Sequence, residues 1–79
     1  MITTEEIESM ILKKIPGAGV SVSDMTGTGD HFEVQVSSEL FKGKPLIEQH
    51  RMVFAALEKE MDRRIHAVKL KTLVLSSRA

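Results

Sequence analysis

The apolar residues of this chain change repeatedly between helical and strand spacing, and their order limits the possible folds more than any other feature. The first periodic segment begins with Thr3 and Glu6, three residues apart as in a capping box, and it stops at Pro16-Gly17. Between these signals the apolar side chains are Ile7, Met10, Ile11 and Ile15. The sequence therefore predicts a first helix over residues 4–15.

Two short runs with strand periodicity follow the first helix. Apolar residues alternate with polar ones at Val20 and Val22, and again at Phe32, Val34 and Val36. The residues between the two runs, 25–30, include two glycines and an aspartate and suit a turn. This pattern is typical of an antiparallel hairpin.

A second helix and a third strand complete the predicted elements. Pro45 suits the first turn of a helix over residues 45–62. On a helical projection, seven of its residues fall in one mainly apolar arc of about 120°. They are Leu46, Ile47, His50, Val53, Phe54, Leu57 and Met61. The aliphatic run from Ile65 to Leu75 then predicts a third strand, with Val68 and Leu70 on one side and lysines on the other.

The predicted order is α-β-β-α-β, which indicates an α+β fold. The strand–helix–strand connection should be right-handed, so the third strand is expected to lie parallel to the second. Both helices would then cover one face of a three-stranded mixed sheet. A chain of 79 residues has room for one modest core, and we expect a single domain over residues 1–79.

Composition excludes several classes of protein. The chain has no cysteine, which excludes disulfides, thiolate metal sites and a thiol nucleophile from this chain. Its first residues are polar and acidic rather than basic and then apolar, so no signal peptide is indicated. No apolar run approaches the roughly 20 residues needed to span a bilayer. We therefore expect a cytoplasmic protein without a membrane partner.

Charge is unevenly placed along the chain, although the net charge is zero. Residues 1–40 carry two basic and seven acidic side chains, whereas residues 41–79 carry nine basic and four acidic ones. This asymmetry suggests one basic face, which is a weak indication of a nucleic-acid partner.

No arrangement typical of catalysis is present. None of the serines stands in a strand–turn–helix elbow of the G-x-S-x-G kind, and the carboxylates Glu58 and Asp62 fall on the exposed side of the second helix. A chain this short also has little room for a pocket that excludes water. We therefore expect a protein that is not an enzyme.

Two histidines stand at the starts of predicted strands. His31 opens the second strand and His66 the third, and these strands should be parallel neighbours about 4.8 Å apart. Their imidazoles would then converge on a metal ion, although strand alternation groups His66 with core-facing Val68. Spacing alone leaves an ordinary structural role open for both, and favours one for His50. Two histidines form an incomplete site, as expected if a second molecule supplies the remaining ligands.

Several lysines stand where they would contact nucleic acid. Lys42-Gly43-Lys44 precedes the N-terminus of the second helix, where phosphate can bind backbone N–H groups. Lys69 and Lys71 lie on the polar side of the third strand. No aromatic residue stands among them to stack bases, so a simple solvated surface remains the favoured interpretation.

Four stretches of the sequence resemble BolA proteins in order and spacing, and together they cover nearly the whole chain. They are Gly29-Asp30-His31-Phe32-Glu33-Val34, Phe41-Lys42-Gly43-Lys44-Pro45-Leu46, Gln49-His50-Arg51-Met52-Val53-Phe54-Ala55-Ala56-Leu57 and Ile65-His66-Ala67-Val68-Lys69-Leu70-Lys71-Thr72. The His50-Arg51 pair, combined with the later Ile65-His66-Ala67, is more specific than any single motif.

The resemblance implies a type II K-homology-like fold and a monothiol glutaredoxin as partner, in a heterodimer around a bridging 2Fe–2S cluster. It implies that the glutaredoxin's cysteine and the cysteine of glutathione hold one iron, while His66 and a residue near the hairpin loop, here His31, hold the other. The implied role is cluster trafficking or iron and redox sensing. The isolated chain would carry no cofactor and would be a monomer or a weak dimer.

The resemblance also implies an alternative function, because some family members are DNA-binding transcriptional regulators of stress and morphology. The expected partner or nucleic-acid surface consists of the basic residues Lys42, Lys44, Arg51, Lys69 and Lys71. In the glutaredoxin interpretation, the basic residues of the second helix and third strand would instead help to dock the partner.

Overall fold

The computed structural model describes residues 2–25, 27, 31–61, 65 and 67–75. Its elements are the helix α1 (Thr4–Lys14), the strands β1 (Gly19–Asp24) and β2 (His31–Ser38), the helix α2 (Leu46–Leu57) and the strand β3 (Ala67–Val74). A short 3-10 turn at Glu39–Phe41, which the sequence pattern did not predict, follows β2. The predicted α-β-β-α-β order is confirmed.

The three strands form one mixed sheet in the order β1-β2-β3. Strand β1 pairs with β2 in antiparallel register, with Val22 opposite Val34, so the predicted hairpin is confirmed. Strand β3 pairs with β2 in parallel register, with Leu70 also opposite Val34. The parallel placement of the third strand was therefore predicted correctly, although β3 begins at Ala67 rather than at Ile65.

Helix α1 begins where the sequence signals place it. The Glu6 amide donates to Thr3 Oγ1 and the Thr3 amide donates to Glu6 Oε1, both at 3.1 Å, so the capping box is complete. Ile2 and Ile7 flank this box at the positions of a hydrophobic staple, and both are buried. The helix ends at Lys14, one residue before the predicted end.

Helix α2 is shorter than the sequence predicts. It ends at Leu57, so the predicted range 45–62 was wrong at its C-terminal end. Beyond Leu57 the Glu60 amide donates to the Leu57 carbonyl at 2.9 Å, which tightens the last turn. Met61 then forms an isolated parallel bridge with Ile65.

The buried side of α2 also differs from the predicted arc. Leu46 and Ile47 are 59% and 61% exposed, whereas Val53 and Leu57 are fully buried. Gln49 lies four and eight residues before Val53 and Leu57, so it is on the same side of the helix and is buried with them. The arc was therefore correct at Val53 and Leu57 but wrong in its first turn and at Phe54, which is not among the residues packed against the core.

Both helices lie on one side of the sheet, as predicted. The core between these layers consists of Ile2, Ile7, Ile11, Ile15, Phe32, Val34, Val36, Phe41, Val53, Leu57 and Ile65. Along β2 the residues Phe32, Val34 and Val36 point into this core, and Glu33 and Gln35 between them are exposed. The other side of the sheet therefore faces away from the helices, and we call it the open face.

Candidate functional site

His31 is the first residue of β2 and lies at the end of the sheet where β2 and β3 both begin. Its side chain is half-buried, and strand alternation places it on the open face, opposite in direction to the buried Phe32. The Met25 amide donates to the His31 carbonyl at 2.8 Å, which holds the backbone of this histidine at the end of the hairpin.

His66, the other predicted ligand, lies outside the described residues. The residues on either side of it in the sequence are described: Ile65 is fully buried, and Ala67 begins β3. Ala67 is paired directly with His31 across the parallel strands. The position of the His66 ring stays a prediction.

The open face is a shallow polar surface. Its depression of about 370 Å³ is lined mainly by Ser21, Ser23, Glu33, Gln35, Lys69 and Lys71. Lys69 Nζ lies 3.9 Å from Glu33 Oε2, and both side chains are more than half exposed, so this ion pair contributes little to stability. Within the described chain, no acidic side chain pairs with Lys71. Each predicted strand lysine is therefore accessible to a partner.

The turn before α2 presents two more of the predicted lysines. Lys42 and Lys44 are exposed on either side of Gly43, whose φ of +80° is the left-handed conformation that glycine adopts without strain. The Lys44 amide closes the turn by donating to the Phe41 carbonyl at 3.0 Å. Pro45 is the N-cap of α2 and makes no side-chain hydrogen bond to the helix end.

A buried hydrogen-bond network that the sequence pattern did not predict fixes this turn. Gln49 Nε2 donates to the Lys44 carbonyl at 2.8 Å, and Thr72 Oγ1 donates to Gln49 Oε1 at 2.7 Å. The network connects the lysine turn, α2 and β3. Gln49 lies four and eight residues before Val53 and Leu57, and this spacing could have indicated that it is buried. The predicted buried side was chosen from apolar residues, so a glutamine was not included in it.

Arg51 lies apart from the strand lysines. It is exposed on α2, and its Nη1 is 3.1 Å from Glu48 Oε1 of the same helix. The strand lysines occupy the open face, whereas α2 covers the other side of the sheet. The predicted basic residues therefore do not form one continuous face.

His50 is half-buried in α2, which agrees with a structural role. It borders an open groove of about 580 Å³ along the outer side of α2, together with Ile47, Arg51, Phe54 and Met61. Over the part of the chain that the structure describes, no three His, Asp or Glu side chains lie together in a way that would hold a metal ion. Nor is any described helix long and apolar enough to span a membrane.

Two helices on one face of a three-stranded mixed sheet, in the order α-β-β-α-β, define an α+β domain of the type II K-homology class. Residues 13–76 match the family model described as BolA-like protein, and this chain belongs to the BolA family.

Individual relatives agree with this assignment. The chain is 47% identical over 72 residues to protein BOLA2 of Arabidopsis thaliana, which covers 90% of this chain and 76% of that protein. The solved structure of a bolA protein homologue from Coxiella burnetii is 35% identical, with a TM-score of 0.79 over 94% of this chain and 92% of the other. The DNA-binding transcriptional regulator BolA of Escherichia coli is 33% identical over 49 residues, 62% of this chain and 47% of the regulator.

Proposed function

We propose that this chain is an accessory protein in iron–sulfur cluster trafficking or in iron and redox sensing, and that it shares a 2Fe–2S cluster with a monothiol glutaredoxin. One observation carries the proposal: the parallel register sets His31 opposite Ala67, the residue after His66 in the sequence. Neighbouring strands are about 4.8 Å apart and consecutive Cα atoms about 3.8 Å apart. Strand alternation alone would direct the two side chains to opposite faces of the sheet. The proposal therefore requires that the His66 ring turn towards the end of the sheet, where both imidazoles are within reach of one iron.

The donor chemistry of the chain fits a shared site. Thiolates for the second iron must come from elsewhere, because the chain has no cysteine. In this proposal they are the glutaredoxin's cysteine and the cysteine of glutathione. His31 and His66 supply two imidazoles, the pair that replaces two cysteines on one iron of a Rieske cluster. The chain contributes ligands and a docking surface and catalyses no reaction itself.

The open face is the docking surface that this site requires. His31 lies on that face by strand alternation, and Lys69 and Lys71 lie on it further along the neighbouring strand. Arg51 takes part only if the glutaredoxin also reaches the helical side. Without its partner the chain carries no cluster and is a monomer or a weak dimer.

The test mixes the purified chain with cluster-loaded monothiol glutaredoxin and records visible circular dichroism, which reports the surroundings of the cluster. We expect the wild-type chain to change the spectrum, and His66→Ala and His31→Ala to change it much less. His50→Ala is the matched control, because it removes a half-buried histidine from α2 and should act like wild type. An unchanged spectrum with the wild-type chain would overturn the proposal.

DNA binding is the second candidate function. Its support is the similarity to the Escherichia coli regulator and the exposed Lys42 and Lys44 beside the start of α2, where the N-cap residue Pro45 makes no side-chain hydrogen bond. If this function is correct, the slope of log affinity against log salt becomes shallower by about 0.9 for each phosphate that a variant no longer neutralises. Lys69→Ala/Lys71→Ala and Lys42→Ala/Lys44→Ala test the two lysine pairs separately. If neither double substitution changed the affinity for DNA, both lysine pairs would be excluded as DNA contacts.

A further inference from the structure

Strand β3 lies at an edge of the sheet. It pairs with β2 on one side, and no strand among the described residues pairs with its other side. We call that side, over Ala67–Val74, the free edge. Its eight residues present a longer edge than the six of β1 at the opposite end of the sheet. Exposed edges of this length are templates for pairing with another strand.

The direction of the peptide groups on this edge follows from one hydrogen bond. The Leu75 amide donates to the Ser38 carbonyl at 3.0 Å, so the peptide groups of Leu75 and of alternate residues before it point towards β2. The intervening residues direct their N–H and C=O groups away from the sheet. They are Val68, Leu70, Thr72 and Val74. The free edge thus offers a regular series of donors and acceptors.

Side chains beside the first part of this edge differ in character between the two sides of the sheet, and Leu73, which is 40% exposed, follows the lysines on the open face. Lys69 and Lys71 are exposed on the open face, and only Lys69 has an acidic neighbour among the described residues. On the helical side Val68 and Leu70 are half-buried, and Val74 is 49% exposed. An added strand would lie beside cations on one face and beside apolar groups on the other.

We propose that the free edge of β3 binds an extended segment of a partner protein in which acidic side chains alternate with apolar ones. Its backbone continues the sheet, its carboxylates lie beside Lys69 and Lys71, and its apolar side chains cover Val68 and Leu70. The proposal does not depend on the cluster ligands, because neither His31 nor His66 takes part in it, although Lys69 and Lys71 also lie on the surface proposed to dock glutaredoxin.

Charge excludes a second copy of this chain as the occupant. Symmetric antiparallel pairing of two β3 strands about Leu70 sets Lys69 opposite Lys71 of the other copy, and pairing about Lys71 sets Lys71 opposite Lys71. Like charges that are directly opposite destabilise a strand pair. An acidic partner strand removes this repulsion and supplies the counter-charge that Lys71 lacks among the described residues.

The test uses the full chain and a capped, dye-labelled eight-residue peptide of alternating glutamate and valine, with binding followed by fluorescence anisotropy at neutral pH. We expect Lys69→Gln/Lys71→Gln to weaken binding about tenfold, because two cross-strand charge pairs are removed. Lys13→Gln/Lys14→Gln makes the same charge change at the exposed end of α1 and should leave the affinity unchanged.

Two further measurements separate strand addition from simple charge attraction. A peptide N-methylated at its four central residues keeps its charge but loses its backbone donors, and we expect it not to bind. Hydrogen exchange should slow at least tenfold at the outward amides of Leu70 and Thr72 when the unmodified peptide is bound. Equal binding of the methylated peptide, no binding of the unmodified one, or unchanged exchange at these two amides would overturn the proposal.

Discussion

Gln49 uses both ends of its side-chain amide inside the protein. It is 7% exposed and its partner Thr72 is 9% exposed, so neither side chain can readily exchange this bond for water. Through the Lys44 carbonyl the same amide anchors the turn that presents Lys42 and Lys44. At the scale of residues, the position of the predicted lysine turn therefore depends on a polar contact rather than on apolar packing.

Thr72→Val tests this network with little change in shape. The substitution leaves Gln49 Oε1 buried without a donor, and we expect the free energy of unfolding to fall by about 1–3 kcal/mol. Urea denaturation measures the decrease. In a Gln49→Leu background the same substitution should cost much less, because no acceptor is left unsatisfied. Equal costs in both backgrounds would show that the two side chains are not coupled.

At the scale of elements, the two helices differ in how far local sequence determines their ends. Helix α1 has a capping box at its start and Pro16-Gly17 beyond its end, and both of its bounds could be predicted to within one residue. Helix α2 has no comparable stop signal after Leu57. After Leu57 the chain forms a turn and then the bridge between Met61 and Ile65, and apolar helical spacing at Met61 does not reveal this change of conformation.

Thr3→Ala tests whether the capping box of Thr3 and Glu6 stabilises the start of α1. The substitution removes the hydroxyl that accepts from the Glu6 amide, and we expect a decrease of about 1 kcal/mol in the free energy of unfolding. Thr4→Ala is the control, because Thr4 lies inside the helix and its hydroxyl donates to the neighbouring exposed Glu5. Thermal or urea unfolding that responds equally to the two substitutions would contradict the capping role.

At the scale of the whole molecule, periodicity was sufficient to predict the topology. The change from strand to helix spacing and back again implies a parallel crossover, and this crossover sets His31 opposite Ala67. Charge along the sequence was a poorer guide. The basic half of the chain distributes its cations to both sides of the sheet, because Lys69 and Lys71 share the open face while Arg51 lies on α2. The order of charges along the sequence does not show which cations lie on the open face and which lie on the helical side.

The central claim is that two imidazoles of this chain bind one iron of a cluster shared with a glutaredoxin. Pulsed electron paramagnetic resonance on the reduced complex, with only this chain's histidines labelled with ¹⁵N, tests it directly. We expect two strongly coupled nitrogens in the wild-type complex, one in the His31→Ala complex and one in the His66→Ala complex. A cluster that forms in the complex without any coupled ¹⁵N from this chain would contradict the claim.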